Sequence, residues 1–69
     1  MNEHTIEGNW QQLKGKVREQ WGKLTDDDVD VIAGKRDQLV GRIREAYGKS
    51  VEEAEREVRE FEGRHLKAD

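Results

Sequence analysis

A chain of only 69 residues without cysteine can form one small domain, and neither a disulfide nor a thiolate-bound metal can hold that domain together. Charged residues make up 42% of the chain yet nearly cancel to a net charge of −3, so the placement of the apolar 32% decides whether the chain folds. No apolar run is long enough for a membrane span or a signal-peptide core, which predicts a soluble protein of the cytoplasm with no membrane contact.

The first predicted element is an amphipathic helix. Its apolar residues recur at intervals of three or four, which places them on one helical face: Ile6, Trp10, Leu13, Val17, Trp21 and Leu24. This phase assigns both tryptophans to the core. Gly22 is predicted to end the helix in the left-handed conformation.

A capping box predicts a short second helix. Thr25 can accept a backbone N–H from Asp28, and the acids that follow Thr25 lie at the positive end of the helix dipole. The helix should cover residues 26–33, with residues 29–33 on its buried side, and Gly34 should end it.

The third and fourth helices are separated by Gly48. The third has an apolar face formed by Leu39, Val40, Ile43, Ala46 and Tyr47. Ser50 and Glu53 then form a second capping box, which opens the fourth helix. That helix should fade near Gly63, and its predicted apolar face consists of Val51, Ala54, Val58 and Phe61.

The chain contains an internal repeat. The segment GKVREQWGK at residues 15–23 returns as GRIREAYGK at residues 41–49, and residues 8–23 and 34–49 are identical at eight of sixteen positions. Each unit is a long helix, a capped turn and a return helix, and neither unit could bury its apolar face alone. We predict one all-α domain over residues 1–69, with repeat units at about 6–33 and 34–62 and a flexible tail at 63–69.

Charge follows the repeat. Residues 35–49 carry five Lys/Arg against two acids, whereas residues 25–34 carry four acids and no base. The first helix of each unit is therefore basic and the second is acidic. This alternation predicts ion pairs within or between the two units.

Both halves of the repeat carry a family resemblance. GNWQQLKGKVREQWGKLTDDD at residues 8–28, followed by GKRDQLVGRIREAYG at 34–48, resembles the CsbD-like family of small bacterial stress-response proteins, over residues 8 to about 61. The resemblance implies a small all-α four-helix domain of two packed, roughly orthogonal helical hairpins. It also implies synthesis raised under general, osmotic or stationary-phase stress, with no established catalytic residues. We expect a monomer.

Two short strings imitate ligand-binding loops. The GKS at residues 48–50 would need a further glycine where Ile43 stands to form a phosphate-binding loop. Asp26, Asp28 and Asp30 alternate as calcium ligands do, but Val31 occupies the position that requires glycine. The GKS string is better explained as a helix end followed by an N-cap. The alternating aspartates are better explained as part of the capped second helix.

The remaining polar residues do not form a reactive constellation. His4 and His65 lie near opposite ends of the chain, without cysteine or a convergent acid pair. Ser50 is already explained as a cap, and the carboxylates lie among lysines and arginines on solvated helix faces. We predict no catalytic, cofactor-binding or metal-binding residues, no cofactor and no enzymatic activity.

Two functions remain in competition. The first is a stress-protective or interaction module, with an unknown protein partner, which agrees with a mean hydropathy of −1.17. The second is nucleic-acid binding through the basic first and third helices, although the acidic sequence pI of about 5.4 opposes it. The basic residues concerned are Lys14, Lys16, Arg18, Lys23, Lys35, Arg36, Arg42, Arg44 and Lys49.

Gly15 and Gly41 occupy matching positions inside the two long helices. Glycine in a helix interior costs about 1 kcal/mol relative to alanine. Both positions lie opposite the apolar face, which predicts that they face water and tolerate alanine. The alternative is that each glycine admits a closely packed helix or a partner.

Overall fold

The computed structural model describes residues 6–66. A 3-10 turn at Glu7–Asn9 leads into α1 (Trp10–Gln20), which is followed by α2 (Asp26–Ile32), α3 (Arg36–Tyr47) and α4 (Val51–His65). These described residues contain no strand, which confirms the predicted all-α class. None of the described helices combines the length and the apolar character that a membrane span needs.

Both predicted capping boxes are present. The Thr25 hydroxyl accepts a hydrogen bond from the Asp28 backbone N–H at 3.1 Å, and the Asp28 carboxylate accepts one from the Thr25 N–H at 3.0 Å. Ser50 and Glu53 repeat this exchange at 3.1 and 3.4 Å. Each box satisfies two backbone donors that the first helical turn leaves without partners, which fixes where α2 and α4 begin.

The end of α1 differs from the prediction. Gly22 does not adopt the left-handed conformation; positive φ values among the described residues occur at Ala33, Gly34 and Gly48. The helix ends at Gln20, and Trp21 takes φ −124° and ψ 81°. Leu24 N–H then bonds to the Trp21 carbonyl at 3.0 Å, which closes a turn without a left-handed residue. The chain leaves the helix at Trp21, whose side chain is buried in the core.

Gly34 is required by both its conformation and its surroundings. Its φ is 85°, and it follows Ala33, which ends α2 at φ 47°. A Cβ at Gly34 would lie 3.0 Å from Glu7 Cα and 3.1 Å from Trp10 Cβ. The turn between α2 and α3 therefore packs directly against the segment that opens α1. Gly48, with φ 65°, ends α3 as predicted.

The core draws on all four helices and on the segments around α1. Its members are Ile6, Leu13, Val17, Trp21, Leu24, Val29, Ile32, Leu39, Val40, Ile43, Ala54, Val58 and Phe61. Five of the six apolar residues of the first predicted helix are thus buried, although Ile6, Trp21 and Leu24 lie outside α1. Trp10 was predicted in the core and is only half-buried, packed against the core edge.

Two valines depart from their predicted faces. Val31 on α2 is 48% exposed and Val51 at the start of α4 is 47% exposed. Val51 is the first residue after the Ser50 cap, so it lies in the first turn of α4, before the first buried residue, Ala54. Val31 lies between the buried Val29 and Ile32, so it is on the outer side of α2. The buried side of α2 therefore does not extend through residues 29–33.

α3 is the central packing element, because it packs along α4 and also against α2. Leu13 and Val17 of α1 are buried in the core, and the Trp21 ring, directly after α1, lies 5.1 Å from the Phe61 ring of α4 between centroids. α4 continues past the predicted end near Gly63 to His65, and Leu66 packs against the core. Of the predicted tail at 63–69, residues 67–69 lie outside the described residues.

Candidate interaction surface

The predicted charge alternation produces ion pairs between helices. The Arg18 guanidinium on α1 pairs with Asp26 on α2, within the first repeat unit. Arg42 Nη1 on α3 lies 3.4 Å from Asp28 Oδ1 on α2, which joins the two units. Hydrogen bonds from the Thr25 backbone lower the pKa of Asp28, and Arg42 lowers it further. The prediction of ion pairs within and between the units is confirmed.

Arg36 joins the start of α3 to the middle and end of α4. Its Nη1 donates to Glu55 Oε1 at 2.8 Å and its Nε donates to Glu62 Oε2 at 3.0 Å. Partial burial disfavours the charged guanidinium, but the two carboxylates outweigh this effect and raise the pKa of Arg36. Arg36 was predicted as a candidate phosphate contact; its donors are instead directed to two glutamates.

Glu57 forms the polar contact between α4 and the turn after α1. Trp21 Nε1–H donates to Glu57 Oε1 at 2.8 Å, and the Lys49 ammonium pairs with Glu57 Oε2. The Lys49 hydrogen bond and then the Trp21 hydrogen bond lower the pKa of the Glu57 carboxyl, and Glu57 raises the pKa of Lys49 in turn. The buried Trp21 indole thereby satisfies its N–H with Glu57, a partly exposed residue at the edge of the core.

The two repeated motifs meet at Tyr47, the counterpart of Trp21 in the second unit. The Lys23 backbone N–H donates to the Tyr47 hydroxyl oxygen at 3.1 Å. The Lys23 and Lys49 ammonium groups lie 5.1 and 5.4 Å from the centre of the Tyr47 ring, which is within cation–π range. Residues at equivalent positions of the repeat thus converge on one cluster, and this cluster holds the two units together.

The residues that imitate ligand-binding loops have structural roles. In the GKS string at 48–50, Gly48 ends α3, Lys49 pairs with Glu57, and Ser50 caps α4. Of the three alternating aspartates, Asp26 and Asp28 pair with arginines and Asp30 is exposed on α2.

The two histidines do not come together within the described structure. His65 lies against the Phe61 ring, with 4.6 Å between ring centroids, and His4 lies outside the described residues. Across residues 6–66 no group of three His, Cys, Asp or Glu side chains is arranged as metal ligands.

Acidic neighbours neutralise much of the predicted basic strip. Five of the nine basic residues form ion pairs: Lys16, Arg18, Arg36, Arg42 and Lys49. Lys23 lies over the Tyr47 ring. Lys14, Lys35 and Arg44 have no ion pair with any described residue. Nucleic-acid affinity depends on cations that are free to replace counterions, so this arrangement disfavours phosphate binding by α1 and α3.

An open groove lies between α1 and α2. It has a volume of about 420 Å³ and is lined by Lys14, Gly15, Arg18, Asp26, Val29 and Asp30. No neighbouring atom lies within 4 Å of a Cβ built at Gly15, and the same is true at Gly41. Both glycines therefore have open space beside them, as predicted, and close helix packing inside the domain is not the reason for either.

A second groove, of about 430 Å³, is formed where the segment before α1 meets the end of α4. Its apolar lining includes Ile6 and Leu66, and its charged lining consists of Glu7, Arg36, Arg59 and Glu62. The Arg36 guanidinium in this groove already donates hydrogen bonds to two carboxylates. The groove therefore offers an anion little beyond the exposed Arg59.

Sequence comparison decides the family. The matching family is described as CsbD-like, and the match covers residues 4–56. The chain belongs to the CsbD-like family. It is 62% identical over 65 residues to the UPF0337 protein YjbJ of Escherichia coli O6:H1, and 63% identical over 65 residues to the UPF0337 protein ECA0631 of Pectobacterium atrosepticum. Each alignment covers 94% of both chains.

A third relative aligns over a shorter stretch. This CsbD-like protein is 72% identical over 36 residues to the UPF0337 protein Atu4724 of Agrobacterium fabrum, an alignment that covers 52% of this chain and 54% of the relative. The family match ends at residue 56, so it does not cover Glu57 or the last turns of α4. The matched residues of this chain include both capping boxes and both copies of the repeated motif.

Sequence reasoning missed Glu57 and Arg36 as the residues that connect the helices. Glu57 directly precedes the buried Val58 and lies one turn before Phe61, so it borders the apolar face of α4. The signal that could have identified Glu57 is a carboxylate at the edge of an apolar face, because a buried tryptophan needs a hydrogen-bond acceptor.

Proposed function

We propose that this CsbD-like protein is a non-enzymatic, cytoplasmic stress-response protein that acts as a protective or interaction module under osmotic or stationary-phase stress. Membership of the CsbD-like family is the observation that carries the proposal. The fold agrees with it, because several hydrogen-bonded polar groups of the described chain join helices to one another or cap them.

The surface supports a role in weak, reversible contacts with other proteins. Its exposed charges have both signs, and many of them are paired with a neighbour of opposite sign. A surface with interspersed charges of both signs is strongly hydrated, which favours solubility at high concentration over tight electrostatic capture of one partner.

Nucleic-acid binding is the alternative function, and the ion pairs of α1 and α3 argue against it. Fluorescence anisotropy with mixed-sequence DNA and RNA at low salt tests the alternative. We expect little change in anisotropy. Binding that weakens steeply as salt is added would favour the alternative, because phosphate contacts release counterions.

Survival of a deletion strain tests the proposal itself. Cells that lack the gene should form fewer colonies than wild-type cells after an osmotic upshift or prolonged stationary phase, and a plasmid copy of the gene should restore the count. Equal survival with and without the gene under both stresses would contradict the proposal. A crosslinked pull-down, compared between stressed and unstressed cells, would identify any protein partner.

A further inference from the structure

The groove between α1 and α2 contains features that the fold itself does not use. Gly15 lies in its wall with no neighbouring atom within 4 Å of a Cβ position, so the fold does not require glycine there. Glycine in an exposed helix interior costs stability, and the monomer gains nothing in return. A backbone without a side chain does, however, permit another chain to approach closely.

The charges around this groove are arranged with opposite signs on opposite walls. Lys14 and Arg18 are one turn apart on α1, and Asp26 and Asp30 are one turn apart on α2. Arg18 and Asp26 pair with each other at the end of the groove nearest the connecting turn. Lys14 and Asp30 form no ion pair with any residue from 6 to 66, and both are exposed.

We propose that this groove is the contact surface of a reversible homodimer. In a two-fold arrangement the same patch meets itself, so Lys14 of each copy faces Asp30 of the other. Both charges left unpaired in the monomer are then compensated, and the bare backbone at Gly15 of each copy lets α2 of the other copy approach closely. Among the described residues, the groove presents one unpaired cation, Lys14, and one unpaired anion, Asp30. A second copy of this chain presents the complementary charges and is therefore the occupant that matches it best.

The dimer is weak. Exposed ion pairs contribute about 0.2 to 1 kcal/mol each, so the two symmetric Lys14–Asp30 pairs give only a weak association. The dilute protein is then the monomer expected from the sequence, and dimers form as the protein concentration rises. This inference goes beyond the proposed function and does not depend on it.

Sedimentation equilibrium of the full chain, from about 10 µM to about 1 mM at low salt, tests the proposal. The weight-average mass should rise with concentration, and added NaCl should reduce the rise. Lys14→Glu and Asp30→Lys should each weaken dimerisation about tenfold, because each creates like-charge contacts twice in the symmetric interface. The double variant Lys14→Glu/Asp30→Lys should recover wild-type association to within about threefold.

Gly41→Ala is the matched control for Gly15→Ala. Both substitutions should raise the melting temperature, but only Gly15→Ala should weaken dimerisation. Circular dichroism verifies that every variant is folded. A wild-type mass that stays monomeric up to about 1 mM would overturn the proposal. Association that the single charge reversals leave unchanged, or that the double variant does not recover, would also overturn it.

Discussion

Trp21 Nε1 lies 2.8 Å from Glu57 Oε1, so a residue of the first repeated motif is hydrogen-bonded to the last helix, 36 residues later in the chain. The Trp21 ring also packs against Phe61. One side chain thus provides apolar burial and a polar connection between α4 and the turn after α1. This relationship predicts that Trp21 contributes more to stability than any other aromatic residue at the α1 side of the core.

Trp21→Ala should lower the free energy of unfolding by about 3 to 5 kcal/mol, because it removes a fully buried ring and leaves a cavity. A domain of this size has little more stability than that. Trp10→Ala is the matched control: Trp10 is half-buried, so we expect a loss of about 1 to 3 kcal/mol. Urea denaturation followed by circular dichroism measures both. Equal losses would show that the difference in burial is not decisive.

Acid should destabilise the domain through Glu57. Lys49 and Trp21 lower the folded-state pKa of Glu57 below its ordinary value of 4.5, so folding favours the ionised carboxylate. This contribution is complete above about pH 4.5 and is lost as the pH falls through the lowered folded-state pKa. The Glu57→Gln variant should therefore be less stable than the wild type at pH 7, and the difference should shrink on acidification.

Urea denaturation of both proteins from pH 7 to pH 2 measures this difference. Asp28 also has a lowered pKa, but it is present in both proteins, so the difference between the two curves isolates Glu57. A difference that stays constant over the whole range would mean that the charge of Glu57 is not involved.

Alanine at Gly15 or Gly41 should raise the free energy of unfolding by up to about 1 kcal/mol each, because both are helical and have open space beside them. Gly34→Ala provides the contrast. Its φ of 85° and its 3.0 Å approach to Glu7 Cα predict destabilisation. We expect a loss of at least about 1 kcal/mol from backbone strain alone. Thermal melts of the three variants measure the signs, and a loss of stability at Gly15 and Gly41 would contradict the structure.

Local features of the fold were predictable from the sequence because their partners are close in the chain. Thr25 with Asp28 and Ser50 with Glu53 each need only three residues and a helix dipole. Gly48 ended α3 as expected, since glycine adopts a positive φ without steric cost. The apolar periods predicted four helices in the right order, although α1 ends before Gly22 and α4 continues past Gly63.

Features that depend on distant partners were not predictable in the same way. Gly22 has the sequence signature of a helix end, yet Trp21 leaves the helix first because its ring is buried in the core. Val51 has the right phase for the core but lies before the packed part of α4. The pairing of Arg36 with Glu55 and Glu62 requires α3 and α4 to be packed together, and neither the composition nor the helical period of α3 indicates it.

Complementation of the deletion strain with folded and unfolded variants tests the central claim most directly, namely that the folded CsbD-like domain is what helps a stressed cell. Colony counts after an osmotic upshift would be compared for cells expressing the wild type, Trp21→Ala and the surface variant Gly41→Ala at matched protein levels. We predict that the wild type and Gly41→Ala restore survival and that the destabilised Trp21→Ala does not. Full rescue by Trp21→Ala, verified as unfolded by circular dichroism, would contradict the account, because protection would then come from hydrophilic composition alone.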